Sequence, residues 1–197
     1  MSEKRDFFER LAPTWEKKPG PDADKLRRVV RETGIFRGQT VLDAGAGTGV
    51  LIPFLLEAVG PEGCIYALDF AVGMVEEIKK KGFPENVIPV LKDIHRTDFP
   101  EAFFDFVVAN ASFPHFTNRT RALEEMRRIL KPGGGLVIAH PAGRTWVNQH
   151  HRKMAAVAED VVFPAEVLGG ILEKLGFVPY CLVDEPDFYL VAARRGQ

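Results

Sequence analysis

Strand-like and helix-like segments alternate along almost the whole chain, and this alternation is what most constrains its fold. Apolar runs typical of β-strands occupy seven segments, at 40–44, 64–69, 86–91, 104–110, 136–140, 177–183 and 188–193. Helical spacing of apolar residues fills six segments, at 24–33, 50–58, 71–81, 118–130, 144–159 and 165–175. Alternation of this kind builds a mostly parallel sheet with helices on both faces, so we predict a doubly wound α/β fold. The short turn at Pro186 predicts an antiparallel terminal pair, and Pro89 predicts that its strand lies at the sheet edge.

The length of 197 residues is typical of one domain. We divide it into an N-terminal segment, 1–23, and an α/β core, 24–197. In the N-terminal segment Phe7, Phe8, Leu11 and Trp15 recur at helical spacing. The pattern leaves two interpretations open, a helix packed on the core and a lid over a ligand cleft.

Composition limits the partners. The formal net charge of −1 gives no basic field for a nucleic-acid backbone, so we expect a small-molecule partner and no nucleic acid. No apolar run is long enough to span a bilayer, the N-terminus lacks the apolar core of a signal peptide, and the two cysteines show no metal-binding spacing. We therefore expect a cytoplasmic protein without a membrane span, and the sequence leaves its oligomeric state open.

The segment VLDAGAGTG at 41–49 is the strongest local signal. A strand turns into a helix across three glycines, which permit close approach of a ligand to the main chain. A dinucleotide loop would need a glycine where Val50 stands. Asp43 precedes the first glycine by two residues and would suit a ligand carrying an ammonium or sulfonium group better than a pyrophosphate.

Polar residues also end the later strands. In doubly wound sheets ligands bind beyond the carboxyl ends of the strands, where Asp43, Asp69, Asp93, Asn110 and His140 are expected. Asp69 has two interpretations, the N-cap of the next helix and a carboxylate that accepts both hydroxyls of a ribose. Together with the glycine loop, the ribose role is favoured.

These residues resemble the class I methyltransferases that use S-adenosylmethionine (SAM), especially the branch of ubiquinone and menaquinone biosynthesis. The resemblance extends from about Phe7 to the C-terminus, through FFERLAPTWE (7–16), VLDAGAGTG (41–49), IYALDF (65–70), LKDIH (91–95), FDFVVANASFPHF (104–116), LKPGGGLVIAH (130–140) and LGFVPYCLVDEPDFYLVAARR (175–195). It implies a Rossmann-like methyltransferase fold with seven strands, SAM as cofactor, and a lid at the N-terminus.

The resemblance also implies the cofactor-binding residues. The glycine loop would hold the methionine part of SAM, Asp69 the ribose, Asp93 the adenine amine and Ile94 the adenine ring. The full set of predicted cofactor-binding residues is Asp43, Gly45, Ala46, Gly47, Asp69, Phe70, Asp93, Ile94 and Asn110. The chain departs from the motif of amino methyltransferases that act on bases or glutamine, because Ala111, Ser112 and Phe113 follow Asn110.

Histidines are the candidates for proton transfer, because an acceptor hydroxyl must lose its proton and imidazole titrates near neutral pH. We predict His140, at the end of the fifth strand, and His115, in the loop after the fourth, as catalytic residues. The structural alternative for His140 is a histidine of the core or of a helix cap. The alternative for His115 is a residue that shapes the site without taking part in catalysis.

Further substrate-binding residues are predicted around the helix that begins near Gly143. Arg144, Asn148 and His151 are spaced four and three residues apart, which places them on one helix face, and Trp15 lies in the N-terminal segment. Such a face would bind an anionic acceptor, or it would be a solvated flank. We predict no metal; the weaker alternative is a metal held by His140 and His151, with or without His115.

The sequence therefore predicts an enzyme that transfers a methyl group from SAM to a small molecule, with an anionic acceptor as one option. Two alternatives stay open at this point, a SAM-binding protein without catalysis and an NAD-type oxidoreductase.

Overall fold

A single sheet with the strand order β3-β2-β1-β4-β5-β7-β6 organises the computed structural model, which describes residues 3–17 and 22–197. The strands are β1 (Thr40–Ala44), β2 (Cys64–Asp69), β3 (Val87–Leu91), β4 (Phe104–Asn110), β5 (Leu130–His140), β6 (Phe177–Asp184) and β7 (Tyr189–Arg195). Strands β1 to β5 pair in parallel, whereas β7 pairs antiparallel with both β5 and β6. The predicted fold class, the antiparallel terminal pair and the edge position of Pro89 in β3 are all confirmed.

Seven α-helices accompany this sheet in the described part of the chain. They are α1 (Glu3–Leu11), α2 (Ala23–Thr33), α3 (Ile52–Val59), α4 (Val72–Lys80), α5 (Arg119–Ile129), α6 (Arg144–His151) and α7 (Ala165–Lys174). A 3-10 helix, Ala12–Lys17, continues α1. Two buried clusters lie on opposite faces of the sheet, because α2, α3 and α4 pack on one face and α5, α6 and α7 on the other.

Local chemistry explains several helix ends. The Asp22 carboxylate accepts a hydrogen bond from the Asp24 amide at 2.8 Å and begins α2, which ends at Gly34 with φ +75°. The Asn118 side chain accepts from the Arg121 amide at 3.0 Å and begins α5. Both helices begin within one residue of the starts, at 24 and 118, that the sequence predicts.

Two predicted boundaries are wrong. The helix predicted over 144–159 ends at His151, because side chains of α6 bind the backbone of residues 160–162 and fold the chain back. The fifth strand begins at Leu130, six residues before its predicted start at 136, with a register shift opposite Phe104 and Phe106.

No helix in the ranges 3–17 and 22–197 combines the length and apolar character needed to cross a membrane.

Candidate functional site

The carboxyl ends of β1 and β4 mark the place where the strand order reverses. Chain connections from β1 lead to β2 and β3 on one side, whereas β4 and β5 lie on the other side. Ligands of doubly wound sheets bind in the crevice that such a reversal opens. Asp43, Asp69, Asn110 and His140 all lie at this edge, in or at the ends of β1, β2, β4 and β5.

The glycine loop after β1 is folded tightly against its neighbours. Gly45, Gly47 and Gly49 have φ of +76°, +57° and +83°, which other residues rarely adopt. The amides of Gly45 and Ala46 both donate to the Leu68 carbonyl, at 2.8 and 2.9 Å. A side chain at Gly45 would come within 2.5 Å of the Ser112 Cβ, whereas one at Gly47 would meet no atom within 4 Å. The loop therefore presents open space over Gly47.

Asp43 is a buried acid without an internal partner. It is 1% exposed, and its Oδ2 has no hydrogen-bond partner among the described residues. Burial, followed by the charge of Asp69, raises the pKa of Asp43 to about 7. A carboxyl group in this state gains most from a ligand that brings positive charge.

Asp69 connects the glycine loop to α4. Its Oδ2 accepts from the Gly47 amide and its Oδ1 from the Ala71 amide, both at 2.9 Å. Burial raises the pKa of Asp69 to about 6, against the opposing effect of these amide donors. Each oxygen keeps a second lone pair, so the capping interaction and a hydroxyl-binding role are compatible.

The segment after β3 and the loop after β4 complete this side of the crevice. Ile94 is buried, and the Asp93 carboxylate binds both the amide and the ring Nδ1 of His95. Asn110 is buried with no partner for its Oδ1 within the described chain. The Ser112 hydroxyl donates to the Ala44 carbonyl at 2.6 Å, which fixes the β4 loop over the glycine loop.

A cluster of histidines lies beyond that loop. His115 Nδ1 is 2.6 Å from Asp160 Oδ2, and the Lys4 ammonium is 2.6 Å from Asp160 Oδ1. His151 Nδ1 is 2.5 Å from the Asp160 carbonyl oxygen, and the rings of His115 and His151 lie 4.9 Å apart. One residue, Asp160, thus holds both imidazoles through its side chain and its backbone.

The protonation state of His115 follows from these contacts. Burial alone would raise the pKa of Asp160, but the hydrogen bonds from His115 and Lys4 outweigh it and lower that pKa, so the carboxylate is ionised. Burial lowers the pKa of His115 despite Asp160, so the imidazole is neutral at pH 7. Its Nδ1 must carry the proton that Asp160 accepts, which leaves the Nε2 lone pair available.

His140 is in a more extreme environment. It is 3% exposed, and its Nε2 finds no hydrogen-bond partner in the described part of the protein. Burial, together with His115 and His151, lowers the pKa of His140 to about 3. This neutral imidazole is suited to hydrogen bonding with a ligand but is a weak base.

Helix α1 covers the crevice between the predicted cofactor residues near Asp69 and the histidine cluster. The Phe8 ring lies 6.0 Å from Phe70 and 5.2 Å from His115, and it packs with Trp15 at 6.3 Å. The Glu9 carboxylate accepts from the amides of Val72 and Gly73, at 2.5 and 2.7 Å, and so caps α4. The N-terminal segment is packed and lies over the site; its action as a lid stays a prediction.

The predicted substrate-binding residues have partners within the protein. Arg144 pairs with Asp184 at 2.8 Å, and the Asn148 amide binds both backbone groups of Val162 at 2.8 and 3.0 Å. His151 is bound to Asp160, and Trp15 packs against Ala12, Ala71 and Met74. Contact of these four residues with a substrate stays a prediction.

Sequence reasoning missed three residues of this region, Asp160, Lys4 and Glu9. Asp160 lies just beyond the helix predicted over 144–159. Lys4 and Glu9 are polar residues of the N-terminal amphipathic segment, for which the sequence pattern indicates a role only for the apolar face. Their partners are 45 to 156 positions away in sequence. Across residues 3–17 and 22–197, no three His, Cys, Asp or Glu side chains are arranged to hold a metal ion.

Comparison with known proteins finds similarity to methyltransferases. A model of the methyltransferase domain matches residues 42–138. The chain is 34% identical over 116 residues to a ubiquinone/menaquinone biosynthesis C-methyltransferase of Yersinia pestis, covering 57% of this chain and 46% of that protein. It is 37% identical over 112 residues to a demethylmenaquinone methyltransferase of Staphylococcus aureus, covering 56% and 46%. The matched region spans about half the length of these curated relatives.

Solved structures extend the likeness to nearly the whole chain. A SAM-dependent methyltransferase from Aquifex aeolicus superposes with a TM-score of 0.73 at 26% identity, over 97% of this chain and 98% of that one.

Proposed function

We propose that this chain is a class I SAM-dependent methyltransferase, similar to the quinone-biosynthesis enzymes, with a small-molecule acceptor and a histidine base. This similarity weighs against the NAD-type oxidoreductase. The observation that carries the proposal is the His115–Asp160 pair at 2.6 Å. The Phe8 ring packs against both His115 and Phe70, the residue after Asp69, and so places this pair beside the predicted cofactor site.

The residues at the crevice fit SAM. When bound, SAM supplies an electrophilic methyl group and a cationic sulfonium and ammonium. Asp43 lacks a counterion and gains from that charge, the space over Gly47 admits a ligand against the backbone, and Asp69 keeps acceptor capacity for ribose hydroxyls. We infer that Ala46, Phe70, Asp93, Ile94 and Asn110 complete the cofactor site.

His115 is the group best suited to remove a proton from the acceptor. Its Nδ1–H is bound to an ionised Asp160, so the carboxylate orients the ring and stabilises the imidazolium that forms at Nε2. Lys4 and the His115 hydrogen bond together keep Asp160 ionised in a buried position. Asp160 is therefore a positioning residue, and His115 is the base.

His140 and Asn110 are assigned a different task. Both are buried with an unpaired atom, Nε2 in His140 and Oδ1 in Asn110. Each unpaired atom costs free energy in the absence of a ligand, about 1–3 kcal/mol. We infer that they form hydrogen bonds to bound ligands and so hold the reacting groups in line, a geometry on which methyl transfer depends.

The acceptor we propose is a small molecule with a dissociable hydroxyl. The named relatives act in quinone biosynthesis, where a hydroxyl on a ring would activate either oxygen or a ring carbon once His115 takes its proton. The net charge of −1 supports a small acceptor over a nucleic acid.

Transfer of labelled methyl groups tests this function. Purified protein and SAM labelled on its methyl carbon are incubated with a metabolite extract, and the lipid, small polar and macromolecular fractions are counted. We expect label in the lipid or small polar fraction, and His115→Gln to slow its appearance by about 100-fold or more, since a general base contributes on this scale. SAM affinity should be unchanged by this substitution.

Two further variants make the test specific. Asp160→Asn should lower the rate and shift the acid limb of its pH profile to lower pH, because the carboxylate raises the pKa of His115. His150→Gln is the matched control, since His150 is exposed and stacks on Trp146. Label only in macromolecules contradicts the small-molecule acceptor, and SAM binding without label in any fraction favours a SAM-binding protein without catalysis.

A further inference from the structure

A cavity of about 620 Å³ lies beside the histidine cluster, between α5, α7 and the loops after β4 and α6. This volume is within the range of small-molecule sites. Its apolar lining consists of Phe113, Phe116, Leu123, Phe163, Leu168 and Ile171. Residues of the glycine loop, Asp43 and Asp69 do not line it, but Phe116 of its lining lies within 3.5 Å of the position that a side chain at Gly45 would take.

One cation in the lining forms no ion pair among the described residues. Arg119 is half buried, and no carboxylate of the described residues lies within 4.0 Å of its guanidinium. The group is held in place by stacking over the Phe163 ring at 4.9 Å and by one hydrogen bond to the Pro114 carbonyl at 3.1 Å. A guanidinium has five N–H donors, so most of its donors remain for a ligand.

Burial lowers the pKa of Arg119, and the charge of Asp160 partly offsets this effect without an ion pair between the two side chains. Asp160 already accepts hydrogen bonds from Lys4 and His115, and the Lys4 ammonium balances its charge. Glu159 is exposed at the solvent side and forms no ion pair among the described residues. Arg119 is therefore the cation available in the partly buried part of the cavity.

We propose that this cavity binds an apolar organic anion, with its carboxylate or similar group on Arg119 and its apolar body against Phe113, Phe116 and Phe163. Asp160 lines the cavity and binds His115, so the cavity adjoins the base that we assign. We infer that the bound anion is the methyl acceptor, and this last step rests on the proposed function.

A matched pair of probes tests the cavity without any methyl transfer. Naphthalene-1-acetate and its neutral amide share shape and apolar area and differ in charge, and calorimetry measures the affinity of each for the full chain. We expect the acid to bind at least 10-fold more tightly than the amide, because a charged hydrogen bond to a partly buried guanidinium adds to the shared apolar contact. Arg119→Gln should remove this preference.

Controls separate the cavity from its surroundings. Arg121→Gln, on the exposed side of the same helix and paired with Glu124, should keep the preference. Ile171→Trp should fill the cavity and weaken both probes, and saturating S-adenosylhomocysteine should displace neither. Equal affinity for acid and amide, a preference that survives Arg119→Gln, or displacement by S-adenosylhomocysteine would overturn the proposal. Because the probes need no turnover, absence of labelled product would contradict the proposed function and leave this site standing.

Discussion

Asp43 and Asp69 end neighbouring strands in one buried environment, and the charge of Asp69 adds to the cost of ionising Asp43. Asp69 differs from Asp43 in that it has two amide donors, from Gly47 and Ala71. The same side chain therefore stabilises the glycine loop and the start of α4 and offers lone pairs to a ligand.

Substitution of Asp69 tests its cofactor role. We expect Asp69→Asn to weaken SAM binding by about 10- to 100-fold, since hydrogen bonds to a charged group contribute about 1.5–3 kcal/mol. Calorimetric titration with SAM measures the change, and thermal unfolding checks that the fold is retained.

The control for this prediction lies at the opposite edge of the sheet. Asp105, near the start of β4, accepts from the Thr40 amide and pairs with Lys131. Asp105→Asn should reduce stability and leave SAM affinity unchanged. Equal SAM affinity of the wild type and Asp69→Asn would show that the ribose assignment is wrong.

At the residue scale, the sequence predicts those features that depend on a residue and its near neighbours along the chain. Gly45 is required by its positive φ and by the approach of Ser112, and both the glycine spacing and Asp69 can be read directly from the strand–loop–helix pattern. The partnership of Asp160 with His115 and Lys4 could not be read, because it depends on how three distant segments pack.

Helix α1 is attached to the core by its polar residues as well as by its apolar face. Glu9 supplies the cap that α4 lacks in its own sequence, since Ala71 at the N-cap position offers no side-chain acceptor. Phe8 and Trp15 add apolar contact with Ala71 and Met74. The position of α1 over the crevice is thus coupled to the start of α4.

Removal of this cap is a test at the element scale. We expect Glu9→Ala to destabilise the protein by about 0.5–2 kcal/mol, the range measured for helix caps. Hydrogen exchange should speed up at the amides of Val72 and Gly73 and along α1. Glu76→Gln is the control, because Glu76 is an exposed residue of α4 paired with Lys79; comparable effects of both variants would argue against a specific cap.

Element boundaries were predictable where a local signal marks them. Gly34 ends α2 and Asn118 begins α5 through contacts within a few residues. By contrast, the end of α6 has no glycine or proline, because the turn is made by Asn148 and His151 binding to residues 160–162. The extra length of β5 likewise comes from pairing with β4, which the sequence of β5 alone does not contain.

The protein as a whole should respond to pH through its buried acids. The pKa values of Asp43 and Asp69, about 7 and about 6, lie above the value of 3.8 expected in the unfolded chain. Between pH 4 and 7 the unfolded chain therefore binds fewer protons than the folded protein. Stability of the cofactor-free protein attributable to these groups is complete below pH 4 and falls as the pH rises through this window.

A cationic cofactor should restore part of the stability that the protein loses as the pH rises. Because positive charge favours the ionised carboxylates, we expect SAM to bind more tightly at pH 7 than at pH 5 and to release protons near pH 6.5. Titrations in two buffers of different ionisation enthalpy measure the released protons, and the SAM-induced rise in Tm should grow with pH. Asp43→Asn should remove most of this dependence; proton uptake on binding would contradict the assignment.

The reversed direction of β7 has a practical consequence for handling the protein. Tyr189 pairs with His140 at the site edge, and Arg194 pairs with Gly135 towards the opposite edge, so the final strand leads away from the crevice. Lys4, in contrast, contacts Asp160 directly. An affinity tag, fluorophore or surface linker is therefore best attached after Gln197, away from the opening of the crevice, and not ahead of α1.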